Sequence, residues 1–129
     1  MKNSTLKKIV WPAMLLIAVG LIVWAGIIAP NQPDKLDSFA TCIKNSGATF
    51  YGAFWCPHCQ AQKAEFGRAE RLLPYVECST PDGQSSLQVC VDNGVKEYPT
   101  WVFKDGSRQT GEMQLADLAQ KTGCALPTQ

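Results

Sequence analysis

Two of the six cysteines, Cys56 and Cys59, stand in the segment GAFWCPHCQAQK, with the only histidine of the chain, His58, between them. A C-x-x-C spacing serves three chemistries: a metal clip, a structural staple, or a dithiol that cycles with a disulfide. A zinc ribbon needs a second close pair of ligands, but Cys78 and Cys90 are too widely spaced and there is no second histidine. Haem attachment needs a histidine directly after the second cysteine, where Gln60 stands. Copper handling calls for a further histidine or a methionine nearby, and neither is present in the segment. No metal and no cofactor is therefore expected, which leaves the staple and the redox dithiol.

Placement favours the redox dithiol. Thr49 to Phe54 is rich in β-formers and apolar on both faces, and reads as a buried strand. It runs directly into Cys56, and Pro57 suits the first turn of a helix predicted over 57–73. A sulfur at a helix start meets unpaired backbone N–H groups and the positive end of the helix dipole, and both favour the thiolate, the nucleophile of disulfide exchange. Cys59, three residues on, lies on the same face of the first turn and within disulfide reach. Cys56 is thus the candidate attacking thiol and Cys59 the deeper, resolving one. His58 is expected to sit beside the Cys56 thiolate and stabilise the reduced form, which makes the disulfide a stronger oxidant.

The remaining elements must hold this junction in place. Leu36, Phe39, Ala40 and Ile43 recur at helical spacing, with Asp37 or Ser38 as a cap and Gly47 as a stop. Short strands are predicted over 75–78 and 100–103, the latter turning at an Asp-Gly hairpin into a partner over 108–111. A helix is predicted from Ser85 or Ser86 to Gly94, and a last one through Leu115, Leu118 and Ala119 to Gly123. The order α-β-α-β-α-β-β-α calls for a small mixed sheet, parallel in its first half and closed by an antiparallel hairpin, with helices on both faces.

Ile9 to Ala29 carries no charge, and at 1.5 Å per residue it matches a bilayer core of about 30 Å. Lys2, Lys7 and Lys8 precede it, so an uncleaved anchor with a cytoplasmic N-terminus is expected, with Pro12 in the first turn of the span. The expected division is a cytoplasmic segment 1–8, a transmembrane helix 9–29, a linker 30–35, a single domain 36–124 and a loose tail 125–129. The 129 residues carry a net charge of +1, and those three lysines leave nine basic against eleven acidic residues from Asp34 onward. No basic patch interleaved with aromatics suggests nucleic acid. All six cysteines follow the apolar run, and their even number in an exported domain suggests disulfides.

FYGAFWCPHCQAQK followed by EYPTW resembles the thioredoxin superfamily. From about Phe39 to Gly123, YGAFWCPHC, YVEC, Cys90, YPTW and TGE resemble the thioredoxin-like domain fused to bacterial and plant homologues of vitamin K epoxide reductase. The four-helix membrane domain of those homologues is absent from this sequence, so any such partner would be a separate polypeptide. The resemblance implies a thioredoxin-like fold, a four-stranded mixed sheet with helices on both faces, behind one transmembrane helix. It implies catalytic roles for Cys56, Pro57, His58 and Cys59, and a cis-proline at Pro99 facing them. It implies substrate contacts at Trp55, Tyr98, Pro99 and Thr100, with core packing the alternative for Trp55. It implies a structural Cys78–Cys90 bridge, with a second redox relay as its rival. Cys42 and Cys124 are a candidate second bridge, although their helices are expected on opposite faces. Many relatives carry a buried acid six residues before the first cysteine, where this chain has Phe50.

The expected function is therefore an extracytoplasmic, membrane-anchored thiol–disulfide oxidoreductase acting on exported proteins. Its expected partner is a quinone-linked oxidase of the vitamin K epoxide reductase-like or DsbB-like type. A reductase serving cytochrome maturation or disulfide repair, and a non-enzymatic chaperone or binding module, are the alternatives.

Overall fold

The computed structural model describes residues 3–27 and 34–128, in two units that divide at Pro33. The first holds one helix, α1 (Asn3–Ile27). Its start lies well before Pro12, so that proline sits inside the helix rather than in its first turn, and removes one interior backbone hydrogen bond. The described side chains of α1, Trp11, Leu16 and Ile22 among them, are exposed. Counted on the described residues alone, no helix is long and apolar enough to cross a membrane. Ile28 and Ala29, the end of the expected span, and 30–33 of the expected linker lie outside those residues.

In the second unit a four-stranded sheet has the order β2-β1-β3-β4. Strand β1 (Thr49–Gly52) is central, parallel to β2 (Tyr75–Glu77) and antiparallel to β3 (Thr100–Val102), which pairs antiparallel with β4 (Arg108–Thr110). Because side chains alternate along a strand, neighbours in β1 enter different cores. Phe50 joins Phe39 and Ile43 of α2 (Asp37–Asn45), Cys59 of α3 (Pro57–Glu65), Trp101 of β3 and Leu118 of α5 (Leu115–Thr122). Tyr51 joins Cys78, Val95 and Cys90 of α4 (Gln88–Asp92) on the other side. Helices thus cover both faces, as the element order requires. Trp101 is fully buried and stacks on Phe50 with centroids 4.5 Å apart. Such a side chain contributes about 3 kcal/mol by burial alone.

Several boundaries differ from expectation for local reasons. The single helix predicted over 57–73 is two: α3 ends at Glu65, and Gly67 turns the chain at φ +54° into a 3₁₀ segment, Gly67–Leu72. Such a φ belongs to the left-handed region that favours glycine. Helix α4 begins at Gln88, not at Ser85 or Ser86, because Ser86 bridges to Ser79 and Leu87 N–H donates to the Cys78 carbonyl. Neither Asp37 nor Ser38 caps α2. Leu36 holds the cap position, and Asp34 accepts from the Leu36 and Asp37 amides instead. Asp37 instead pairs with Arg71, which holds its carboxyl below the usual range. The expectation that Cys42 and Cys124 lie on opposite faces is also overturned: α2 packs against α5, and the two cysteines are bonded.

Candidate active site

The site forms where β1 hands over to α3. Ala53 follows the strand, and its carbonyl accepts from Cys56 N–H at 3.0 Å, closing a tight turn. Two side chains steady that turn. Gln60 Nε2 donates to the Phe54 carbonyl at 2.6 Å, and Phe54 N–H donates to Glu77 Oε1 at 3.2 Å. Cys56 then stands at the N-cap of α3 with extended backbone, and Pro57 occupies the first helical turn. No side chain caps this helix start, so its leading N–H groups remain available to an anion.

Cys56 and Cys59 are free thiols, 5% and 1% exposed. Cys56 Sγ lies 3.7 Å from the Tyr98 carbonyl, and the Tyr98–Pro99 bond is cis. Cys59 is the deeper of the two. Burial pushes its thiol up to about 12, opposed by a backbone hydrogen bond at Ala53 and raised further by Cys56, while the Lys63 charge pulls the other way. Only glycine fits at position 52. A Cβ there would lie 2.8 Å from Cys59 Sγ and 2.9 Å from the Tyr75 ring.

His58 was expected beside the Cys56 sulfur. Its ring is exposed, and Nδ1 lies 2.6 Å from Glu112 Oε1. Buried Gln62 organises this contact. Its Oε1 accepts from Met113 N–H at 2.7 Å and from the Trp101 indole at 3.3 Å, and its Nε2 donates to the Met113 carbonyl at 3.0 Å. The residue next to Glu112 is therefore clamped to α3. Sequence reasoning assigned no role to Gln62 or Glu112, and the only hint was TGE recurring as a motif.

Trp55 is half exposed and is not core. Its indole N–H donates to Ser79 Oγ at 2.8 Å, and its ring meets Tyr98 edge-on at 6.1 Å. The Tyr98 hydroxyl shares a 3.0 Å hydrogen bond with Ser86. With Ser79 and Gly83 to Ser86 these rings line a shallow hollow of about 240 Å³. Thr100 is buried in β3, and its hydroxyl donates to the Glu97 carbonyl, so its side chain is not presented at the surface. Cys78 and Cys90 are bonded and fully buried. Phe50 is packed between Trp101 and Tyr75. Among the described residues no group of three or more His, Cys, Asp or Glu is placed to hold a metal ion.

A mixed four-stranded sheet flanked by helices, with a buried dithiol at the start of a helix, is consistent with a thioredoxin-like α/β fold. Known proteins agree with that class. The chain is 44% identical over 104 residues to thiol-disulfide oxidoreductase LTO1 of Arabidopsis thaliana, covering 77% of this chain and 27% of that protein. It is 32% identical over 94 residues to the thioredoxin domain-containing protein 5 homolog of Drosophila melanogaster, covering 64% and 22%. To protein disulfide-isomerase A2 of Pongo abelii it is 39% identical over 64 residues, covering 46% and 12%. The chain thus spans about a quarter or less of each of these relatives' length. No protein-family model matches it.

Proposed function

We propose that this chain is a protein thiol–disulfide oxidoreductase in which Cys56 exchanges with substrate and Cys59 resolves the mixed disulfide. The observation that carries it is the pair of unbonded thiols at the α3 start, one near the surface and one sealed beneath it, in a chain whose other four cysteines are bonded to each other. Substrate thiolate attacks Cys56 Sγ of the disulfide form, and Cys59 leaves as thiolate. A second substrate thiolate then attacks the substrate sulfur, releasing an oxidised substrate and the reduced pair. Trp55 and Tyr98 flank the entering chain, the Tyr98 carbonyl faces the reactive sulfur, and Cys78–Cys90 braces the sheet behind it.

Oxidation or isomerisation of exported proteins is the direction we favour. Four cysteines held as structural disulfides suit an oxidising compartment, and no buried acid stands at Phe50 to draw the proton from Cys59. The uncharged run 9–29 behind three lysines supports a membrane anchor with the domain on the far side. Anchoring confines the domain near a quinone-linked vitamin K epoxide reductase-like or DsbB-like partner and raises their effective concentration.

The reduction potential of the Cys56–Cys59 pair, equilibrated against glutathione, tests this direction. The account expects a value above about −200 mV, on a scale where disulfide isomerase lies near −180 mV and a strong oxidant near −120 mV. A value near the −270 mV of thioredoxin, roughly, overturns it in favour of a reductase.

A further inference from the structure

Cys59 has a task that its surroundings oppose. It must act as a thiolate, whether attacking Cys56 or leaving from it, yet it is sealed in an apolar core with Phe50 where a buried acid would otherwise help. Lys63 lies one helical turn further along α3, on the same face as Cys59. Its ammonium sits over the Tyr75 ring, 3.3 Å from the centroid. The edge of that same ring and Cys59 Sγ meet over Gly52. The Tyr75 hydroxyl in turn donates to Glu77 Oε2 at 2.8 Å, while Glu77 Oε1 accepts from the amides of Phe54, Cys78 and Ser79. Tyr75 is thus a fixed platform, held neutral first by its burial and then by Glu77, and it keeps the Lys63 cation on the Cys59 side of the sheet.

We propose that Lys63, held on Tyr75, is the positive charge that stabilises the Cys59 thiolate during disulfide exchange, in place of proton transfer to a buried acid. The proposal rests on the oxidoreductase function given above and names the group that makes the resolving step possible. In that step the Cys59 S–H proton passes to solvent. The thiolate attacks Cys56 Sγ, the Cys56–Cys59 bond forms, and the bond from Cys56 to the substrate sulfur breaks. The substrate leaves as thiolate and takes up a proton, so the pair is oxidised by two electrons and the substrate sulfur reduced. In reverse, Cys59 is the leaving thiolate and gains the same stabilisation. The groups facing Cys59 are Cys56 ahead of α3, Lys63 on α3, and Tyr75 with Glu77 behind it on β2. Lys63 is the only cation among them.

Lys63→Met and Lys63→Arg, made in the full chain, test this by rapid-quench kinetics with a glutathione-capped Cys56. Lys63→Met is expected to slow release of glutathione about tenfold at neutral pH and to move the pH profile of that step about one unit upward. Exchange of free glutathione with the glutathione-capped Cys56, in which Cys59 takes no part, should be little changed, whereas attack of glutathione on the Cys56–Cys59 disulfide, from which Cys59 must leave, should slow with the resolving step. Lys63→Arg should restore both rate and profile, which a packing role for the lysine stem would not require. Equal rates and profiles in Lys63→Met and the parent overturn the proposal. If the parent itself releases no glutathione, the function proposed above fails instead.

Discussion

Replacing Cys56 by serine should reduce disulfide exchange by about a thousandfold or more while leaving the fold intact. The hydroxyl is nearly isosteric with the thiol but does not ionise in the range where thiolates attack. No other cysteine replaces it: Cys59 is 1% exposed, and Cys42, Cys78, Cys90 and Cys124 are bonded. Position 56 holds the N-cap of α3, where serine is a favoured residue, so melting should move little or slightly upward. The readout is dithiothreitol-driven insulin reduction, or exchange with a cysteine peptide, alongside circular dichroism. Retention of activity by a folded Cys56→Ser variant would mean that the dithiol is incidental, as in a binding or chaperone module.

The second large effect lies far from the chemistry. The Cys42–Cys124 bridge closes 82 residues between the first and last helices of the domain. Chain-entropy arguments give about 4.5 kcal/mol for a loop of that size and about 3 kcal/mol for the 12-residue Cys78–Cys90 loop. For a small domain, the loss of the longer bridge in Cys42→Ser/Cys124→Ser corresponds to a fall in Tm on the order of 20 °C. The dithiol stands on a different junction, so exchange rates at low temperature should be close to those of the parent. A double variant that melts within a few degrees of the parent would show that α2 and α5 hold together by packing alone. Phe39 and Leu118 meet in the same core and set the size of that contribution.

The chemistry was legible because it is local. A β-rich run, a cysteine, a proline and a second cysteine three residues on specify strand, N-cap, first turn and dithiol without help from the rest of the chain. The Asp-Gly hairpin was readable for the same reason, as was the buried strand expected over Thr49 to Phe54, although it ends at Gly52, its first residue Thr49 is half-buried and Phe54 is exposed. What escaped depends on residues brought together by the fold. His58 pairs with Glu112 because Gln62, three residues beyond the dithiol, seizes Met113 across the core, and nothing in the spacing of 58 and 112 announces that. Lys63 reads as a solvated helix residue until β2 places Tyr75 beneath it. The break at Gly67 was masked by helical spacing continuing through Phe66, Ala69 and Leu73, all buried. The Cys42–Cys124 pair was a candidate bridge from the even cysteine count, but that α2 and α5 share one face is a matter of topology rather than of pattern.

The most direct test of the central claim is a trapped intermediate. In Cys59→Ala, the resolving thiol is gone, so a peptide disulfide attacked by the remaining thiol should stay attached. After incubation with oxidised glutathione and alkylation, peptide mapping by mass spectrometry is predicted to find a single stable adduct, on Cys56, with none accumulating on the parent. The absence of any adduct, or an adduct on one of the other cysteines, would contradict the assignment of Cys56 as the exchanging thiol and Cys59 as the one that resolves it.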